Sequence, residues 1–110
     1  MWVGLVVGTL EGFVAKGYWV SVYTAVLDWE KVAAYDPLAG AVVREFGGRL
    51  LSRGERVLGY DGGIAERTVL VEFESFERAV AARESAAYQE ALAVLGDGVE
   101  RDFRIVEGLD

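Results

Sequence analysis

The chain has 110 residues, 53% hydrophobic and 26% charged, with 11 Lys+Arg against 18 Asp+Glu and a formal net charge of −7. That length and apolar content suit one domain around one modest core, and they exclude a disordered chain. With neither His nor Cys present, there is no Ser-His-Asp or Cys-His machinery, histidine-ligated haem, disulfide, zinc knuckle or iron–sulfur cluster. No cofactor and no metal are expected. Asn is also missing, which removes N-glycosylation. Acid–base work is left to Asp, Glu, Tyr and the two lysines, Lys16 and Lys31. The acidic balance speaks against nucleic acid as a partner, because that binding needs a positive surface.

Met1–Leu10 is apolar, but at about half the ~20 residues of a membrane span it is too short to cross one. No basic residue precedes Lys16, so the positive start of a signal peptide is missing. The expectation is a cytoplasmic protein with no membrane partner. Residues 1–14 are read as an N-terminal extension and 15–110 as a single domain. The first thirteen residues should be dispensable, with Val14 a candidate alternative start.

Gly17–Ala25 alternates Tyr18, Val20 and Val22 with Trp19, Ser21 and Tyr23. Aromatic and β-branched residues dominate, which predicts a strand covered on both faces. Asp28 can cap a helix carrying Trp29, Val32 and Ala33. Asp36-Pro37 then reads as a restart, giving a kinked helix or two short ones, since Pro is tolerated at a first helical position. Leu38, Ala41, Val42 and Phe46 continue the stripe as far as Gly47-Gly48.

Arg49–Arg53 reads as a short strand and Arg56–Tyr60 as a second, followed by an Asp61-Gly62-Gly63 turn. Arg67–Phe73 is the clearest strand, with Val69, Val71 and Phe73 on one face and Thr68, Leu70 and Glu72 on the other. Ser75 and Ser85 can cap two further helices. In the second of these, Tyr88, Ala91, Leu92 and Leu95 fall on one stripe. Gly96-Asp97-Gly98 turns the chain, and Arg101–Val106 is the last strand.

The order is β-α-β-(β)-β-α-α-β. This is an α+β chain, a ferredoxin-like β-α-β-β-α-β antiparallel sheet with helices on one face. Tyr18, Val20, Val22 and Leu70 make the other face apolar as well. A second copy of the sheet is the simplest cover, so the expected partner is the chain itself, as a homodimer.

These segments resemble the family of the domain of unknown function 1330, within the dimeric α/β-barrel superfamily. The resemblance runs from about Ala15 to Gly108. It is carried by Lys16-Gly17-Tyr18-Trp19-Val20, Asp28, Tyr35, Gly47-Gly48-Arg49 and Arg53-Gly54. Beyond these come Arg67–Phe73 with Ser75-Phe76, Ser85–Gln89 and Ile105–Gly108. The sequence departs from the family pattern in its first thirteen residues, at Asp36-Pro37 and at Gly62-Gly63. The resemblance implies a dimeric α/β barrel whose sheets pack face to face, and it confers no established reaction. Relatives in the superfamily include cofactor-free monooxygenases and haem-degrading enzymes, and a chain without His lacks the usual haem ligand.

Glu72 stands out as a carboxylate inside an apolar strand. It is the candidate catalytic base or ligand anchor in the barrel cavity, or else one half of an ion pair with Arg53 or Arg67. Arg53, taken to share a strand face with Arg49, could clamp a carboxylate or phosphate. Tyr18 and Trp19 could wall an aromatic pocket or simply fill the core, and Tyr35 and Tyr88 read as packing residues. Two functions are open. One is binding of, or cofactor-free chemistry on, a small, partly apolar molecule in the barrel cavity. The other is a non-catalytic dimeric module whose buried charges are structural.

Overall fold

The computed structural model describes residues 14–63 and 66–110. The predicted N-terminal extension, up to Phe13, lies outside the described residues. The described elements are β1 (Gly17–Val26), α1 (Trp29–Glu45), β2 (Arg49–Gly54), β3 (Thr68–Phe73), α2 (Phe76–Glu84), α3 (Ala86–Leu95) and β4 (Val99–Glu107). The four strands form one antiparallel sheet in the order β2-β3-β1-β4. This is the expected ferredoxin-like α+β arrangement, with the second helical segment split in two.

The period-two pattern of β1 sets the layers. Trp19, Ser21 and Tyr23 are buried under the helices, while Tyr18, Val20 and Val22 on the opposite face are half-buried. Register places Val71 and Ile105 beside Trp19, and Val69 and Phe103 beside Ser21, so these share the helix-covered face. Val32, Tyr35, Val42 and Val43 of α1 pack into this core with Ala79, Ala82, Tyr88, Ala91 and Leu95 from the other helices. Gly17 lies where the start of α2 passes over β1. A Cβ there would fall 2.4 Å from the Ser75 carbonyl oxygen, so no larger residue fits without moving backbone.

The helix starts follow the capping residues. The Asp28 carboxylate accepts from the Glu30 and Lys31 amides, Ser75 from Arg78, and Ser85 from Tyr88. Gly47, at φ +74°, turns the chain out of α1 in the left-handed region that favours glycine.

Two expected elements differ. Asp36-Pro37 neither breaks nor restarts the helix, because α1 runs continuously through Pro37. Proline there forgoes one backbone hydrogen bond, but Tyr35 before it and Val42 and Val43 after it are buried in the core and hold both halves of the helix. The Asp36 carboxylate is engaged by Arg67 instead of capping a helix. Arg56–Tyr60 is not a strand either. The chain leaves the sheet at Gly54, the end of edge strand β2, and runs on with Leu58 and Tyr60 exposed.

The uncovered sheet face is less uniformly apolar than expected. Val20, Val22, Leu70 and Val106 lie on it with two polar groupings. Arg104 pairs with Asp102 at 3.0 Å, and Glu72 accepts from Tyr18 and Arg49, each at 3.3 Å. Among the described residues, no helix is long and apolar enough to cross a membrane.

Candidate functional site

A cavity of about 480 Å³ opens between α1 and the sheet. Its apolar walls come from Trp19, Leu50, Val69, Val71 and Phe103 on the strands and from Pro37, Ala39 and Val43 on α1. The volume lies within the range of small-molecule pockets. Its charged lining is one-sided: among the described residues it includes Arg44, Arg53, Arg67 and Arg101 but a single carboxylate, Asp36, which pairs with Arg67. A chain of net charge −7 thus gathers four guanidiniums around one concavity.

Arg67 immediately precedes β3, and strand alternation turns it to the same face as Val69 and Val71. It is only 6% exposed. Its Nη2 donates to both oxygens of Asp36 at 3.0 Å, and its guanidinium carbon lies 5.1 Å from the Tyr23 ring centre, a cation–π distance. Its Nε is buried with no partner among the described residues, and so is the Oγ of Ser21, a residue 2% exposed. Buried polar atoms are nearly always paired, and here two unpaired ones belong to residues lining one cavity.

A second polar cluster closes another part of the wall. The Tyr35 and Tyr88 hydroxyls hydrogen-bond to each other. Arg101 donates from Nη1 to Tyr35 and from Nη2 to Tyr88, each at 3.2 Å. Burial, reinforced by Tyr88, pushes the Tyr35 phenol above its ordinary range, so Tyr35 is a proton holder at neutral pH. Burial also raises the Tyr23 phenol. For Arg101, burial works against the charge and the two tyrosines more than restore it.

The predicted site residues divide between the two sheet faces. Trp19 lines the cavity, whereas Tyr18 lies on the opposite face bonded to Glu72, so they cannot wall one pocket. Arg53 and Glu72 are likewise separated. A register shift between Leu50 and Ser52 sets Arg49 opposite Glu72 but Arg53 opposite Val69. The bulge reverses the alternation, so Arg49 and Arg53 do not share a face. The expected Glu72 partners, Arg53 and Arg67, both line the cavity on the helix side; Arg49 takes their place, with its side chain 73% exposed against 21% for Glu72. Tyr35 and Tyr88 pack as expected. Their link to Arg101, like the Asp36–Arg67 pair, was not anticipated. The signal was available in strand alternation, which puts Arg67 with Val69 and Arg101 with Phe103.

The family model for the domain of unknown function DUF1330 matches residues 16–109. The chain belongs to this family. No curated protein matches it. Among solved structures, it resembles RPA0582 from Rhodopseudomonas palustris, a protein of unknown function, at 15% identity and TM-score 0.69, over 96% of this chain and 92% of that one. It also resembles a Caulobacter crescentus CB15 protein provisionally named an antibiotic biosynthesis monooxygenase, at 13% identity and TM-score 0.56, over 89% and 93% of the two chains. A similarly named protein from Nitrosomonas europaea matches at 18% identity and TM-score 0.51, over 88% and 94%. At these identities the likeness is one of fold.

Proposed function

We propose that this DUF1330 chain binds a small, partly apolar molecule in the cavity between α1 and the sheet, and that it does so as a homodimer joined through the uncovered sheet face. The observation that carries the reading is the pair of buried, unpartnered polar groups, Ser21 Oγ and Arg67 Nε, on residues of a largely apolar cavity of about 480 Å³. Leaving such groups unpaired costs about 1–3 kcal/mol each, a cost that a ligand supplying acceptors removes. Cofactor-free chemistry on the bound molecule is an extension of this reading; two structural neighbours carry the provisional name of monooxygenase.

Gly40 offers a direct test. It lines the cavity, and a Cβ added there would meet nothing closer than Arg44 Nη1 at 3.5 Å. Gly40→Leu should therefore keep the helix and fill the space. Native mass spectrometry of the purified protein should find a small-molecule adduct on the wild type and none on Gly40→Leu. An adduct retained equally by both proteins would place the binding elsewhere and overturn the proposal.

A further inference from the structure

Proton bookkeeping around Tyr35 narrows what the cavity accepts. Arg101 carries only donors, so the Tyr35 and Tyr88 oxygens each accept one of its hydrogen bonds. Two hydroxyl protons remain, and one lies between the two oxygens. The other must leave the pair. Tyr88 is fully buried and outside the cavity lining, with no further acceptor among the described residues. Tyr35 lines the cavity. With Tyr88 donating to Tyr35, the Tyr35 proton is left without an acceptor among the described residues, on a residue that lines the cavity.

Tyr35 shares this lining with Arg67 and Ser21, whose buried Nε–H and Oγ–H have no partner among the described residues. Among the described residues Asp36 is the only carboxylate in the lining, and Arg67 Nη2 donates to both its oxygens. The lining therefore carries a net positive charge, four arginines against one carboxylate that is already paired with Arg67. A carboxylate, which accepts at two oxygens and donates nothing, is the complementary group. Trp19, Val71 and Phe103 receive the apolar body.

Resting on the binding role proposed above, we infer that the cavity selects a small aromatic or otherwise apolar carboxylic acid, its carboxylate held by Tyr35, Ser21 and Arg67. Tyr88 and Arg101 are positioning residues that orient the Tyr35 proton. An amide of the same shape brings N–H groups toward donors, and an ammonium brings a positive charge toward guanidiniums.

The test uses three probes with one bicyclic body, 2-naphthoate, 2-naphthamide and 2-naphthylmethylammonium, titrated calorimetrically into the full chain. The acid should bind at least tenfold more tightly than the amide, and the ammonium most weakly. Tyr35→Phe, Ser21→Ala and Tyr88→Phe should each shrink the acid-to-amide ratio. A packing defect alone would weaken both probes and leave that ratio in place. Equal affinity for acid and amide, abolished by Gly40→Leu, would overturn the carboxylate assignment while leaving the binding role standing. Binding that is indifferent to Gly40→Leu would overturn both.

Discussion

Two arginine–carboxylate pairs on opposite sheet faces, Asp36–Arg67 and Arg49–Glu72, differ in burial, and that difference predicts how much each contributes to stability. Asp36 and Arg67 meet at 3.0 Å with side chains 24% and 6% exposed. Asp36→Asn leaves a nearly buried guanidinium without its counter-charge, for which about 3 kcal/mol is expected, the lower end for a broken buried pair. Arg67→Met keeps an aliphatic stem over Tyr23 and leaves a carboxylate that water can reach, so about 1–2 kcal/mol is expected. The double variant strands neither charge, and the coupling should be about 2 kcal/mol. At roughly 4 °C per kcal/mol for a chain of this size, Asp36→Asn alone lowers Tm by about 12 °C. For Arg49 and Glu72, a solvent-screened pair, coupling should be about 0.2–1 kcal/mol. Arg53 and Glu72 lie on opposite faces and should show no coupling beyond about 0.5 kcal/mol. Urea unfolding of the three cycles reads all of these values. Coupling of Asp36 with Arg67 no greater than that of Arg49 with Glu72 would refute the burial argument, and strong coupling of Arg53 with Glu72 would refute the register shift in β2.

Stability should also fall in alkali. The Tyr35 and Tyr23 phenols are raised by burial above the ordinary value of 10.0, so above that pH the unfolded chain releases protons that the folded one retains. Stability from this source is intact below pH 10 and declines as pH rises beyond it, by up to about 1.4 kcal/mol per unit for each phenol. Tyr35→Phe should flatten the decline in the urea midpoint between pH 10 and 11, and an unchanged slope would count against the assignment. For the proposed dimer, Leu70→Glu sets a charge beside Val20 on the uncovered face; sedimentation should shift from a dimer to the 12.0 kDa chain, and unchanged association would exclude this face as the interface.

The parts of the fold that were legible are those governed by local rules. Alternation in β1 and β3 assigned the two faces, and Asp28, Ser75 and Ser85 announced their helices, because a capping side chain serves amides only two or three residues away. The misread parts depend on neighbours distant in sequence. Pro37 stays within α1 because core packing of Tyr35, Val42 and Val43 holds the helix on either side of it, an instance of tertiary packing overriding local preference. The bulge after Leu50 leaves no mark in a six-residue strand such as Arg49–Gly54. One extra residue there was enough to move Arg53 from the side of Glu72 to the side of Arg67.

The polar half of the candidate site follows the same alternation as its apolar half. The pattern that turns Val69 and Phe103 to the helix-covered face turns Arg67 and Arg101 there too, yet a charged residue at a strand end is ordinarily solvated. What keeps these two inside lies far along the chain: Asp36 is 31 residues from Arg67, and Tyr35 is 66 from Arg101. Stability does not account for such an arrangement, since buried ion pairs can often be replaced by packed apolar side chains at no loss. Nor does structural pairing use every donor, because Ser21 Oγ and Arg67 Nε remain unmatched. Side chains serving only to hold α1 against the sheet could have been apolar and would have closed the space between them. Four arginines, a tyrosine pair and two unmatched donors around an open volume of about 480 Å³ are instead the arrangement expected where the missing acceptors arrive with a ligand.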